Sequence, residues 1–245
     1  MKIDILTLFP DMFSGYFDES IMRRAQAMGQ LAVQTHNIRN HAAGKHRVTD
    51  DPPFGGGGGM VLKPDPIFGA VEALERADDT PVILLSPQGR PFTQAIAQEL
   101  SHHPHLILLC GRYEGVDERV RQHLITDEIS IGDYVLTGGE LAAMVLVDAI
   151  TRLLPGVLGA AGAADDDSHA TGLLEGAHYT KPAIFRDWPV PDVLRSGHNG
   201  NIARWRREGS LRRTWERRPE LLLTAVLSEE DKWFLQELAR EEIGD

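Results

Sequence analysis

Cysteine is almost absent from this chain: Cys110 stands alone in 245 residues. A single thiol forms no intramolecular disulfide and no cysteine-based zinc site, so hydrophobic packing must hold the fold together. Long apolar runs are missing too, and no stretch approaches the ~20 residues of a membrane span. The opening MKIDILTLFP alternates and carries an acid where a signal peptide has an apolar block and a small-residue cleavage site, so the expected address is the cytoplasm. No G-x-G-x-x-G follows the first apolar run, and G-x-x-x-x-G-K-[ST] occurs nowhere, which removes the standard dinucleotide and P-loop readings. The ten histidines show no H-E-x-x-H spacing, so metal ligation by them is not expected.

Positive charge is also in short supply. The net charge of −11 repels polyanions on average. Its uneven distribution reverses the sign locally. Eight arginines lie between Arg195 and Arg218 (195, 204, 206, 207, 212, 213, 217 and 218) against only Glu208 and Glu216, a local excess of six positive charges. Trp205 and Trp215 are interleaved with them. Solvated helix faces with local pairs such as Glu208 with Arg212 are the bland reading. Phosphate contact and base stacking suit the pattern better.

What is present is an ordinary globular composition, 42% hydrophobic and 25% charged, long enough for a main domain with a smaller companion. A strand over residues 2–9 is followed by an amphipathic pattern over 12–28. The alternation repeats: strand 31–38, helix 66–76, strand 82–85, helix 93–102, strand 106–110, helix 116–124, strand 125–131 and helix 140–154. The runs Val82–Leu85 and Leu106–Cys110 are apolar throughout, as in strands covered on both faces of a parallel sheet. An α/β domain closing near Gly159 is expected, then a small, acidic and aperiodic linker over 160–172. A mostly helical region over 173–245 follows, with helices at 200–207, 219–227 and 229–243 and all four tryptophans.

Three glycine-containing turns follow expected strands: Ser86-Pro-Gln-Gly89, the stretch from Cys110 to Gly115 (CGRYEG), and the stretch from Ile131 to Glu140 (IGDYVLTGGE). Ligands of open α/β sheets bind outside the carboxyl ends of strands, where bare backbone lets them approach, so the three turns suggest one shared pocket. Each alone also reads as a tight strand-to-helix turn. The five-glycine run Gly55–Gly59 reads as either a flexible surface loop or a close-approach loop, and composition favours the flexible loop. Cys110, ending an apolar strand, reads as a buried small hydrophobe. Asp165-Asp166-Asp167 reads by composition as a solvated acidic linker, and Arg152, at the end of an apolar helix, as a snorkelling side chain.

VTDDPPFGGGGGM, LSPQG, CGRYEGVDERV, SIGDYVLTGGELAAM, RLLPGVLG, DDSHATGLLEGAHYTKP and IARWRRE…LRRTW occur in order, and together they resemble bacterial tRNA (guanine-N1)-methyltransferase, the TrmD type of the SPOUT superfamily. The resemblance runs from Lys2 to about Leu221. It implies a deep trefoil knot in the parallel-sheet domain, a rare exception to the connection rules. It further implies S-adenosylmethionine bound bent in loops of that knot, a tRNA substrate, and a homodimer with the active site at the subunit interface. The product would be N1-methylguanine immediately 3′ of the anticodon. Cofactor loops then fall on Leu84, Leu85, Ser86, Pro87 and Gly89; on Gly111, Tyr113 and Gly115; and on Ile131, Gly132, Asp133, Tyr134, Val135, Leu136, Gly138 and Gly139. Asp167 matches the family's proposed general base and Arg152 the arginine acting on the guanine. Glu114 matches a third residue linked to the cofactor or to Mg²⁺. The sequence departs from the family pattern at Gly58, where proline is usual, at Lys181, where arginine is usual, and in the order His198-Asn199. A non-catalytic RNA-binding protein would also use the arginines and tryptophans, but it leaves the three loops without a purpose.

Overall fold

The structure, a computed structural model, describes residues 1–159, 164 and 167–243. The chain divides into two compact units, Met1–Gly159 and Ala160–Asp245. The expected linker residues 160–163, 165 and 166 lie outside the described residues.

The first unit runs β1 (Lys2–Thr7), α1 (Ser20–Ala27), β2 (Ala32–Asn37), β3 (Asp50–Asp51), β4 (Val61–Leu62), α2 (Pro64–Glu72) and β5 (Val82–Pro91). It continues with α3 (Gln94–Ser101), β6 (His105–Cys110), α4 (Glu118–His123), β7 (Asp127–Ser130) and α5 (Glu140–Thr151). Five strands form one sheet in the order β2-β1-β6-β5-β7, and every pairing is parallel. The α/β expectation thus holds, and the apolar runs sit in the middle of the sheet. Ile3, Ile5, Ile83 and Leu108 face α1, α3 and α5, whereas Leu6, Leu84, Ile107 and Leu109 face α2 and α4. Residues one apart on a strand point to opposite faces, so strands buried on both sides must be apolar at every position. Replacing one such leucine by alanine costs about 2–5 kcal/mol.

The amphipathic stretch over 12–28 is not one helix. Pro10–Phe13 form a single 3-10 turn, and α1 begins only at Ser20. Gly15 has φ +86°, outside the helical region, and that breaks the run while Phe13, Phe17 and Met22 still reach the core. Phe13 and Phe17 stack with ring centroids 5.7 Å apart. Helix starts are marked by side chains: Thr93 accepts from Ile96 N, and Asp117 accepts from Arg119 N at 2.9 Å.

One polar group is sunk into this sheet. Asp4 on β1 is fully buried and accepts from Lys2 Nζ at 2.9 Å, and it bonds His36 Nε2 of β2 at 2.6 Å and His105 Nε2 of β6 at 2.7 Å. Burial pushes its carboxyl up, but the hydrogen bonds from Lys2, His36 and His105 outweigh this and hold it below the usual carboxylate range.

The second unit contains a two-residue hairpin, β8 (Ile184–Phe185) with β9 (Trp188–Pro189), then α6 (Asp192–Arg195), α7 (Asn199–Arg217) and α8 (Glu229–Ile243). Helix α7 is far longer than the expected 200–207 because Leu211 and Thr214 are buried beyond Gly209 and carry the helix through that weak position. The stretch expected as a helix over 219–227 is a 3-10 turn, Pro219–Leu223. Asp231, in the first turn of α8, accepts a forked pair from Arg207 Nε (3.0 Å) and Nη2 (2.8 Å) and a further bond from Ser228 N at 2.8 Å. The Arg207 guanidinium holds the Asp231 carboxyl down at about 2.

Asp4→Ala should cost roughly 3 kcal/mol in denaturant unfolding at pH 7, since it strands the groups facing a buried charge. A group with a depressed folded value stabilises above its unfolded pKa and loses that contribution as pH falls. In the intact chain the Asp4 contribution is therefore complete near neutrality and disappears only below about pH 4. A variant as stable as the parent would remove Asp4 from the forces holding the sheet.

Candidate active site

The carboxyl ends of β5, β6 and β7 open into a cleft of about 230 Å³. All three expected loops line it. Leu84, Leu85, Ser86 and Pro87 come from β5; Gly111, Tyr113, Glu114 and Gly115 from the loop after β6; and Ile131, Gly132, Tyr134, Val135, Leu136, Gly138 and Gly139 from the loop after β7. Gly89 and Asp133 do not line the cleft. Gly89 serves packing: the register of β5 against β7 shifts between Leu85 and Arg90, and a Cβ on Gly89 would lie 2.4 Å from the Ile129 backbone nitrogen. The bulge pushes residues 86–88 into the cleft.

The wall between the second and third loops is built from bare backbone. Gly139 N donates to Gly111 O at 2.9 Å, and a Cβ on Gly139 would sit 2.8 Å from Cys110 Cα. Real side chains do not fit there. Beside it, Arg112 and Gly138 form an antiparallel bridge, and a Cβ on Gly138 would lie 2.2 Å from Arg112 Nε.

A buried polar junction underlies that wall. Glu140, the first residue of α5, is 1% exposed and accepts from Thr7 Oγ1 at 2.7 Å and from Arg112 Nε at 3.3 Å. Its Oε2 lies 3.1 Å from Arg112 Nη2, an ion-pair contact, and accepts no hydrogen bond among the described residues. Arg112 also donates to the Thr137 carbonyl at 3.0 Å and lies 4.5 Å from the centre of the Phe9 ring. One guanidinium thus ties the loop after β6 to the loop after β7 and to β1. Sequence reasoning named neither Arg112, Thr137 nor Gln88, although all three stand inside its motifs and line the cleft. Arg121 also lines it and bonds Glu128 at 3.2 Å, yet no local pattern marks it.

The lining suits a ligand with a flat ring and polar edges. Apolar side chains such as Leu85, Ile131 and Leu136 can cover the faces of a ring, while glycine-rich backbone offers main-chain donors and acceptors. Tyr113 holds a left-handed φ of +58°, and its ring is about half exposed at the rim, as is that of Tyr134. Cys110 is buried behind Gly111. Burial pushes its thiol well above the ordinary range, as befits a packing residue rather than a nucleophile.

The five-glycine loop is exposed throughout, as read from composition, and its far end is anchored. Glu114 N donates to Met60 O at 3.0 Å, Leu62 N donates to Gly115 O at 2.9 Å, and a Cβ on Gly59 would lie 2.4 Å from Glu114 Oε1. Phe54 at the near end is fully exposed. Arg152 caps the C-terminal end of α5 and does not line the cleft. Asp167 belongs to the second unit, where Ala170 N donates to its carbonyl at 3.0 Å and His169 N to Leu173 O at 2.7 Å. The described stretch from Asp167 to Leu173 thus carries turn hydrogen bonds of its own.

A parallel α/β sheet with a glycine-walled cleft at its strand ends defines an enzyme of the ligand-binding α/β class. The family described as tRNA (Guanine-1)-methyltransferase TrmD matches residues 1–224. Three curated relatives named tRNA (guanine-N(1)-)-methyltransferase agree. That of Dehalococcoides mccartyi is 57% identical over 244 residues, 99% of this chain and 98% of the relative. That of Moorella thermoacetica is 58% identical over 245 residues, with the same shares of each chain. That of Bacillus cereus is 56% identical over 244 residues, 99% of this chain and all of the relative. The chain belongs to the tRNA (guanine-1)-methyltransferase family. Among the described residues no helix is long and apolar enough to cross a membrane.

Gly139→Ala should lower stability by about 1–3 kcal/mol through overpacking against Cys110. It should also lower methyl transfer to tRNA far more than an alanine at the roomier Gly58 does. Equal rates in the two variants would show that the close passage does not shape the active site.

Proposed function

We propose that this chain transfers a methyl group from S-adenosylmethionine to N1 of the guanine immediately 3′ of the anticodon, position 37, in tRNA. The observation that carries this reading is the convergence of residues 84–88, 111–115 and 131–139 on one cleft in a chain of this family. The cofactor supplies an electrophilic methyl on a sulfonium sulfur. The three loops would hold it, with the glycine-rich backbone offering main-chain contacts and Tyr113 and Tyr134 as walls.

Guanine N1 carries a proton at neutral pH, so its attack on the methyl requires a base. Asp167 would take that proton as N1 gains the methyl, whose donor would be left as a neutral thioether. Negative charge spreads onto the guanine oxygen, and the Arg152 guanidinium stabilises it in a site from which water is excluded. Mg²⁺ keeps most of its waters and takes one or two carboxylates. Glu114 is the carboxylate at the cleft suited to it, and no grouping of three His, Cys, Asp or Glu side chains able to hold a metal exists among the described residues.

The protein acts as a cytoplasmic homodimer whose active site combines the two subunits. Support comes from α5, where Leu141 and Val145, four residues apart on one face, are about half exposed, as are Met12 and Tyr16 nearby in the chain fold. Tyr16 hydroxyl donates to Asp148 on the same helix, tying the segment after β1 to that face. The knot rests on the family and on the tight crossing of Gly139 over Gly111. The second unit is the tRNA-binding domain, on the strength of its arginines.

Labelled S-adenosylmethionine should place N1-methylguanine in a transcript with guanine after the anticodon and none where that base is replaced. Transfer to neither, or to both alike, would overturn the assignment. Asp167→Ala should cut turnover by about 10²–10⁴-fold with cofactor affinity nearly unchanged; undiminished turnover would take Asp167 out of the mechanism. Val145→Asp should shift the protein to a monomer in analytical ultracentrifugation and abolish transfer. A fully active dimer would place the subunit contact elsewhere.

A further inference from the structure

The arginine-rich segment is not a uniform cationic surface, because most of its charges are already engaged. Arg204 donates to Glu208 at 2.8 Å, and Arg207 forks onto Asp231. Arg212 lies 3.6 Å from Glu241 and over the Phe234 ring, and Arg218 binds Glu220. Arg213 Nη1 donates to the carbonyls of Glu175 and Gly176 at 3.1 and 2.9 Å. Arg206 has no hydrogen-bond or ion-pair partner among the described residues, and neither has Lys181.

These two side chains meet at one place. They line, with Arg195, a cavity of about 370 Å³ in the second unit. Arg195 is held only loosely, 3.8 Å from an exposed Asp192. Tyr179 and Thr180 add hydroxyls, aliphatic side chains such as Val190 complete the lining, and no carboxylate lines the cavity. In a chain with net charge −11, three cations around a space without an acid are a departure that electrostatics alone would not favour.

The cations are also mounted on fixed elements. Lys181 follows a segment pinned to α7 through Ser210 Oγ to Leu174 O at 2.5 Å, Leu174 N to Thr214 Oγ1 at 2.9 Å, and the two Arg213 bonds. Gly176 allows this contact, since a Cβ there would lie 3.1 Å from the Arg206 carbonyl. Arg195 comes from α6 and Arg206 from α7 itself. Tyr179 lies 6.2 Å from Trp205, centroid to centroid, so an aromatic pair flanks the cavity.

We infer that this cavity is a phosphate seat for the RNA substrate, in which Lys181, Arg195 and Arg206 grip a backbone phosphodiester while Arg207 and Arg213 tie elements of the unit together. The inference rests on the proposed tRNA substrate and specifies which cations meet it. A lysine at 181 contributes a point charge, so the directional, forked contacts come from the two arginines.

The test measures binding of the full-length protein to an unmodified tRNA transcript across a range of salt concentrations. Arg206→Ala and the Lys181→Ala/Arg206→Ala pair should weaken binding several-fold at low salt, and each lost phosphate contact should reduce the salt slope by about one. Cofactor affinity and melting temperature should stay at parent values. Arg240→Ala, an exposed cation of α8, is the control and should leave the slope unchanged. If the parent binds tRNA and the cavity variants match the control, the phosphate seat is overturned and the proposed function stands. A parent that neither binds nor methylates tRNA takes down both. Inorganic phosphate followed by ³¹P line width separates the remaining source. Binding lost in Arg206→Ala while tRNA affinity is intact would assign the cavity to free phosphate and overturn its role in RNA recognition.

Discussion

The close passage of Gly139 over Gly111 is the constraint on which the first unit turns. Two stretches of backbone meet at 2.9 Å, nitrogen to oxygen, where a single added carbon would collide with Cys110. Neither stretch is strand or helix, so the sheet ladders do not hold them. The hold comes from Glu140 beneath, which gathers Thr7 from β1 and Arg112 from the loop after β6. A buried carboxylate with these partners is weak evidence for stability in itself, because desolvation offsets much of the attraction. Its consequence here is geometric: it sets the spacing of two walls of one cleft.

The same separation of duties appears among the charged groups. Asp4 ties three neighbouring strands together from within the sheet, and Asp231 locks α7 to the start of α8. Neither lines a cavity described above. The cleft is lined by apolar side chains, hydroxyls and backbone together with Arg112, Glu114 and Arg121. Some cations are engaged by carboxylates, and others have no such partner among the described residues. Arg207 and Arg206, adjacent in sequence, fall on opposite sides of that division because successive helical positions differ by about 100°.

Much of the catalytic unit is legible in the sequence. Apolar runs at Val82–Leu85 and Leu106–Cys110 fit only central strands, and the glycine turns after them open at strand ends. Fourteen of the sixteen loop residues expected to meet the cofactor line the cleft. Gly89 does not, because a glycine needed for close packing and one needed for ligand approach look the same in a sequence; only the 2.4 Å approach to β7 separates them. The run over 12–28 reads as one helix because its apolar spacing survives the interruption at Gly15. Helix α7 reads as ending before Gly209 because its buried anchors, Leu211 and Thr214, lie beyond that point.

By itself the sequence determined the alternation of strands and helices, the location of the glycine turns at strand ends and the clustering of arginine in one segment, since these follow from periodicity, local sterics and composition. Only the tertiary structure decided which of those charges are occupied. Glu140 and Thr7 are 133 residues apart, and Arg207 and Asp231 are 24 apart. A pairing over such distances leaves no local periodicity to read, because it depends on how the elements between are stacked. The difference between Arg207 and Arg213, engaged within the unit, and Arg195 and Arg206, which line a cavity, is therefore a property of packing.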